Sequence, residues 1–260
     1  MAARIRSLLG VSIETQRAWQ SPRLAFNTWR EAFERAGVLV FQAVDVQVAE
    51  MRGISIGEVP LPVVVVNIKD SVRGRIFSMF HEFVHILLRD EALCDMRDER
   101  VRRPHEQRVE VFCNQVAGAA LVPGRKLRWE ELVIHHTTGA AWTEEQIAGL
   151  AKRYSVSREV ILRRLLSLGL TTEDFYREKR AEYQAQYEQL EQRPRRGFPA
   201  PSTLAVSKAG PYFTRAVLQS YYDEQINPSD VADYLEVRLK HLPQIERIVL
   251  GYSPAAGGVL

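Results

Sequence analysis

His81-Glu82-Phe83-Val84-His85 sets two imidazoles four residues apart with a carboxylate between them. On a helix four residues advance about 400°, so His81 and His85 stand about 40° apart around the axis and about 6 Å apart along it. Both rings can then reach one metal ion from a single face. Metal coordination brings the pKa of a bound water to about 7, and Glu82 can take its proton. This is the chemistry of metal-assisted hydrolysis. The bland alternative is a pair of ordinary helix histidines with Glu82 in a surface pair. It is disfavoured because these groups are costly to bury on an otherwise apolar helix.

A zinc site of this kind needs a third protein ligand. Glu110 is the best candidate, on the next helix, with Cys113, Asn114 and Ala117 on the same face. Asn114, one turn further on, is placed to orient a ligand by hydrogen bonding. Asp95, Asp98, His105 and Glu106 are rivals of Glu110. Cys94 and Cys113 would make a softer, structural site and read better as small buried hydrophobes. His135-His136 cannot share one helix face and reads as non-catalytic.

The elements that must position these residues are legible nearby. Asp70 or Ser71 caps a helix from about Val72 to Leu88, with Ile76, Phe77, Phe80, Val84 and Leu87 on an apolar stripe. Val63–Asn67 is the clearest strand, and Val38–Phe41 is a second. Ser21-Pro22 opens a helix that Gly37 ends. Residues 49–62 are mixed, with Gly53, Gly57, Pro60 and Pro62 as breakers, and residues 89–105 read as a charged loop. A helix from about Glu106 stops at Leu121, before Val122-Pro123-Gly124.

The second half reads as helical. Thr143-Glu-Glu-Gln146 is a capping box, Ser157 opens a Leu- and Arg-rich helix, and a charged helix runs from about Thr172 to Gln192. The first two, around a turn at Tyr154–Ser157, resemble a helix-turn-helix. Arg158, Arg163 and Arg164 would form its contact face, against DNA or a protein. The favoured reading is a helical hairpin packed on the core, so DNA binding is possible but not favoured. Asp230–Leu235 through Leu239 is a weaker candidate of the same kind. The tail holds two or three short helices.

Composition sets the outer limits. With 260 residues, 46% hydrophobic and 26% charged, the chain is neither disordered nor a disulfide scaffold. A net charge of +3 is too small to imply nucleic acid. No apolar run approaches the roughly 20 residues needed to cross a bilayer, so a cytoplasmic protein with no membrane partner is expected.

Arg75-Ile-Phe-Ser-Met-Phe-His-Glu-Phe-Val-His85, followed by Glu110-Val-Phe-Cys-Asn-Gln-Val-Ala-Gly-Ala-Ala-Leu-Val-Pro123, resembles the ImmA/IrrE family of metallo-endopeptidases. Pro62–Asn67, Trp29-Arg30-Glu31 and Gly37–Phe41 fit as well. The resemblance implies an α+β, mostly helical fold: a minimal gluzincin-like peptidase domain with a small β-sheet, followed by helical C-terminal regions. It implies His81, His85 and Glu110 as metal ligands and Glu82 as general base. Asn114 stands where gluzincins usually carry Asp. Zinc is the expected cofactor, and the ligand set also suits manganese or iron.

Such peptidases cleave a helix-turn-helix repressor and so relieve repression, in stress responses or mobile-element control. Longer members carry an N-terminal DNA-binding domain. Leu9 already matches the segment on the C-terminal side of such a domain, so the sequence is expected to be either a natural short form or a truncated piece of a longer one. The expected divisions are an N-terminal segment (1–20), the peptidase domain (21–125), a helical region with the hairpin (126–193), a linker (194–210) and a small helical region (211–260). A substrate peptide is expected to lie extended along the sheet, pairing with Val63–Asn67. The alternative is a non-catalytic module that binds DNA or a repressor and keeps only a structural or vestigial metal site.

Overall fold

Helices surround a small sheet in the computed structural model, which describes residues 1–58, 60–88, 93–95, 104–137, 141–191 and 199–251. Two short helices, α1 (Ala2–Leu9) and α2 (Ile13–Arg17), precede α3 (Pro22–Arg35). Strands β1 (Leu39–Ala43), β2 (Met51–Ile56) and β3 (Val63–Asn67) follow, then α4 (Val72–Leu88), β4 (Leu93–Asp95) and α5 (Pro104–Leu121). Next come α6 (Gly124–Arg128), α7 (Glu131–Ile134), α8 (Glu144–Arg153), α9 (Arg158–Ser167) and α10 (Glu173–Glu191). The C-terminal part has α11 (Pro201–Ala209), α12 (Pro211–Tyr222), α13 (Pro228–Tyr234), a 3-10 turn at Leu239–His241 and α14 (Leu242–Leu250). The fold is α+β and mostly helical, as expected. No helix of the described residues is long and apolar enough to cross a membrane.

The sheet runs β1-β3-β2-β4. β3 is parallel to β1 and antiparallel to β2, with Val64 opposite both Val40 and Ser55. Both edges of β3 are therefore taken, and a substrate strand cannot pair with Val63–Asn67 as expected. α11 packs on β1, and Gln42 of β1 donates to the Ser207 carbonyl at 2.6 Å. The outer edge of β4 is open among the described residues. β2 was hidden in the sequence because Gly53 breaks its apolar pattern.

α4 is positioned from behind by aromatic packing. Phe80 meets Trp29 and Phe33 edge-on, with ring centroids 4.8 and 5.1 Å apart, and Phe83 meets Phe33 at 5.0 Å. Edge-to-face pairs of this kind hold a helix in rotation as well as in distance. Ser71 caps its first turn by accepting the Gly74 N–H at 3.0 Å.

One apolar core runs from Ile5 to Tyr183, across the divisions expected at residues 20 and 125. Residues 1–20 are part of it: Ile5, Leu9 and Ile13 are buried. A second core joins α11 to α14. Residues 201–209, expected in a linker, form α11, because Pro201 suits the first turn of a helix and Ala205, Val206 and Ala209 have a core to enter.

Candidate metal centre

α4 presents three faces to three environments. Phe80 and Phe83 turn to α3. Glu82 turns to β2. His81 and His85, one turn apart, turn to α5, where Glu110 meets them. The two Nε2 atoms lie 3.1 Å apart, and each is 3.3 Å from a carboxylate oxygen of Glu110. Among the described residues these three side chains form the group whose donors could close on one cation.

The distances suit a metal. In a tetrahedron with bonds of about 2.0–2.1 Å, ligand atoms stand about 3.3–3.4 Å apart. Protonation tells the same story. Burial works against the His85 imidazolium, but hydrogen bonds to Cys113 and Glu110 outweigh it and push its pKa up to about 10. Burial also works against the Glu110 carboxylate, and the two histidines still hold it well below the usual range. The cluster thus concentrates negative potential where a cation would sit, and His81, His85 and Glu110 fit a bound metal ion.

Glu82 is almost wholly buried, yet it sits beside this cluster. Ser55 of β2 donates its hydroxyl to Glu82 Oε2 at 2.9 Å. Gly53, two residues earlier on the same face of β2, leaves the space that the carboxylate occupies. A Cβ there would stand 2.9 Å from Glu82 Oε1. Sequence reading missed both residues because it saw Gly53 only as a breaker. The alternation Gly53-Ile54-Ser55-Ile56 was the available signal.

Other expected residues fall elsewhere. Asn114 is half-buried and makes no hydrogen bond to the described residues; Cys113, one position earlier and buried, joins Glu110 as an α5 side chain beside His85. Glu106 is exposed on the first turn of α5. Asp98 lies outside the described residues, as do the side chains of Asp95, Cys94 and His105. His135 bonds its own helix at the Glu131 carbonyl, 3.0 Å away, and His136 stacks on Trp142 at 3.7 Å.

The three arginines do not form one surface. Arg164 is buried, and its Nε donates to the Val122 carbonyl at 3.0 Å, so it cannot belong to a docking face. Arg158 pairs with Glu144 and lies over the Tyr183 ring at 4.4 Å. Arg163 pairs with Glu159 at 3.1 Å and lies over Tyr176. These contacts bind α9 to α8 and α10.

Residues 33–166 match the family model of the IrrE N-terminal-like domain, peptidase family M78. The match covers more than half of the chain and contains the whole cluster. The chain belongs to this peptidase family. Membership implies a metal ion, and the His81, His85 and Glu110 donors are where this chain would hold it. No curated protein matches the sequence.

Proposed function

We propose that the chain is a zinc-dependent endopeptidase that cuts a helix-turn-helix repressor within an exposed, extended segment. The observation that carries the reading is the Glu82 carboxylate fixed by Ser55 beside the donors of His81, His85 and Glu110. When bound, zinc supplies Lewis acidity to water and to the scissile carbonyl. His81, His85 and Glu110 would hold the ion through three protein donors. Glu82 takes a proton from the attacking water and hands it to the leaving amine nitrogen.

The open outer edge of β4 offers backbone groups to an extended peptide, two strands from β3. A loop meets that requirement at less cost than a packed helix, which would first have to unfold. The repressor itself rests on the family resemblance. Incubating zinc-loaded wild type and Glu82→Gln with a purified repressor tests the reading. Wild type should cut it and the variant should not, at equal zinc content. Cutting by both proteins, or by neither, would refute it.

A further inference from the structure

α8 and α9 are joined at Tyr154–Ser157, and α13 is joined to the helical run from Leu239 at Leu235–Arg238. The two corners share one backbone. Tyr154 and Leu235 close their helices at φ −95°, ψ 0° and φ −96°, ψ −1°. Ser155 and Glu236 both take the left-handed region, at φ 54° and 49°. Ser157 and Arg238 then open the next helix from extended conformations, φ −72°, ψ 157° and φ −71°, ψ 139°. The hydrogen bonds repeat as well. Val156 N–H donates to the Ala151 carbonyl at 3.0 Å, and Val237 N–H to the Ala232 carbonyl at 3.0 Å. The chain holds two copies of one helix-turn-helix corner.

The copies differ in what covers the second helix. In the first copy α9 is enclosed by α5 and α10, with Ile161, Leu162 and Leu165 fully buried and Arg164 turned inward. In the second, the run Leu239–Leu250 buries Ile245 against α11 and α12 and leaves its other side to solvent. Lys240 in the 3-10 turn and Gln244 and Arg247 in α14 are exposed there, and exposed Arg238 stands at the start of the run.

No carboxylate of the described residues pairs with these cations. The acids nearby are engaged on other sides. Glu236 pairs with Lys208, Glu246 accepts from the Tyr222 hydroxyl, and Asp230 closes the cap of α13. Residues 199–251 carry five Lys and Arg against six Asp and Glu, so this basic group is a local arrangement and not the spill-over of a basic surface.

Lys and Arg complement phosphates and guanine edges on the helical run that this corner presents to a major groove. We propose that the C-terminal helix-turn-helix binds duplex DNA, with Lys240 and Arg247 facing the groove and Arg238 on the backbone.

The test is fluorescence anisotropy of the full chain with a labelled mixed-sequence duplex of about 25 base pairs, titrated across salt. Wild type should bind at about 50 mM salt and weaken linearly in log–log form as salt rises. The triple variant Arg238→Gln/Lys240→Gln/Arg247→Gln should bind at least about tenfold more weakly, with a salt slope smaller by about 1 from the lost Arg238 phosphate contact. Its zinc content should equal that of wild type, which reports an intact peptidase core. Arg35→Gln/Arg177→Gln/Arg180→Gln, with the same change in net charge, should bind like wild type. The proposal is overturned if wild type fails to bind the duplex, if the first variant binds as tightly, or if the second loses as much.

Discussion

Ser55 Oγ donates to Glu82 Oε2 at 2.9 Å, a bond that crosses from β2 to α4 between two buried side chains. It fixes the carboxylate that the proposed reaction needs as a base, and it leaves the histidines alone. Ser55→Ala should therefore keep zinc and fold but lower kcat by about tenfold, a typical consequence of losing one hydrogen bond to a charged group. Ser55→Thr should recover part of the loss. An unchanged kcat would show that Glu82 is held by other means.

Gly53 makes the complementary prediction. Gly53→Ala places a Cβ 2.9 Å from Glu82 Oε1, closer than such atoms approach, so the carboxylate must move. The variant should retain metal and lose more than about tenfold in kcat, since a displacement of about 1 Å at a reacting group is enough for such losses. Normal turnover would mean that the carboxylate has room to shift harmlessly.

Glu110→Ala should strip the metal, because two imidazoles remain where three protein donors closed the site. Metal analysis of the purified variant beside wild type is the measurement. Full occupancy would place the third ligand elsewhere.

Metal affinity should rise with pH. The His85 pKa is raised from 6.5 to about 10, so the metal-free protein holds a proton where the ion must bind. Zinc has to displace it, and apparent affinity should climb about tenfold per pH unit below that value for a single displaced proton. The metal-free fold should show the opposite trend. The stability contributed by this proton is fully present below pH 6.5 and is lost as pH rises through about 10. Competition with a chromophoric chelator at pH 6 and pH 8, and melting of the chelated protein, check both; a flat affinity profile would contradict the first.

Arg164→Ala should destabilise rather than uncouple. It leaves the Val122 carbonyl without its buried donor and opens a gap against Gly118 and Gly124. A loss of about 1–3 kcal/mol in chemical denaturation is expected from the unsatisfied group. A stable variant with slow repressor cutting would restore the docking role.

The site was more legible than its setting. The spacing of His81 and His85, and Glu110 on the following helix, are local facts of helical geometry. Val63–Asn67 and Val72–Leu88 matched their observed limits because each carries an uninterrupted pattern. The central place of β3 was not readable, since pairing order depends on β2, and Gly53 concealed β2. The inward turn of Arg164 was not readable either. A basic side chain on an amphipathic helix looks solvated until Val122, just past the end of α5, offers it a carbonyl. Ser157 and Thr143 announced their helices; what covers α9 lies outside the segment they cap.

Gln16 donates to the Leu121 carbonyl at 3.0 Å and to the Tyr154 carbonyl at 2.7 Å, partners 105 and 138 residues away. The side-chain N–H groups of Gln16 in α2 thereby find their acceptors in segments synthesised much later. Contacts of such sequence separation slow folding, because the loop must close before any of them forms. The residues of the metal cluster emerge long before their support is complete. On the ribosome Gln16 must wait for its second acceptor until Tyr154 has cleared the exit tunnel. Chaperone demand during synthesis, rather than stability afterwards, is where truncation of α1 and α2 should be felt first.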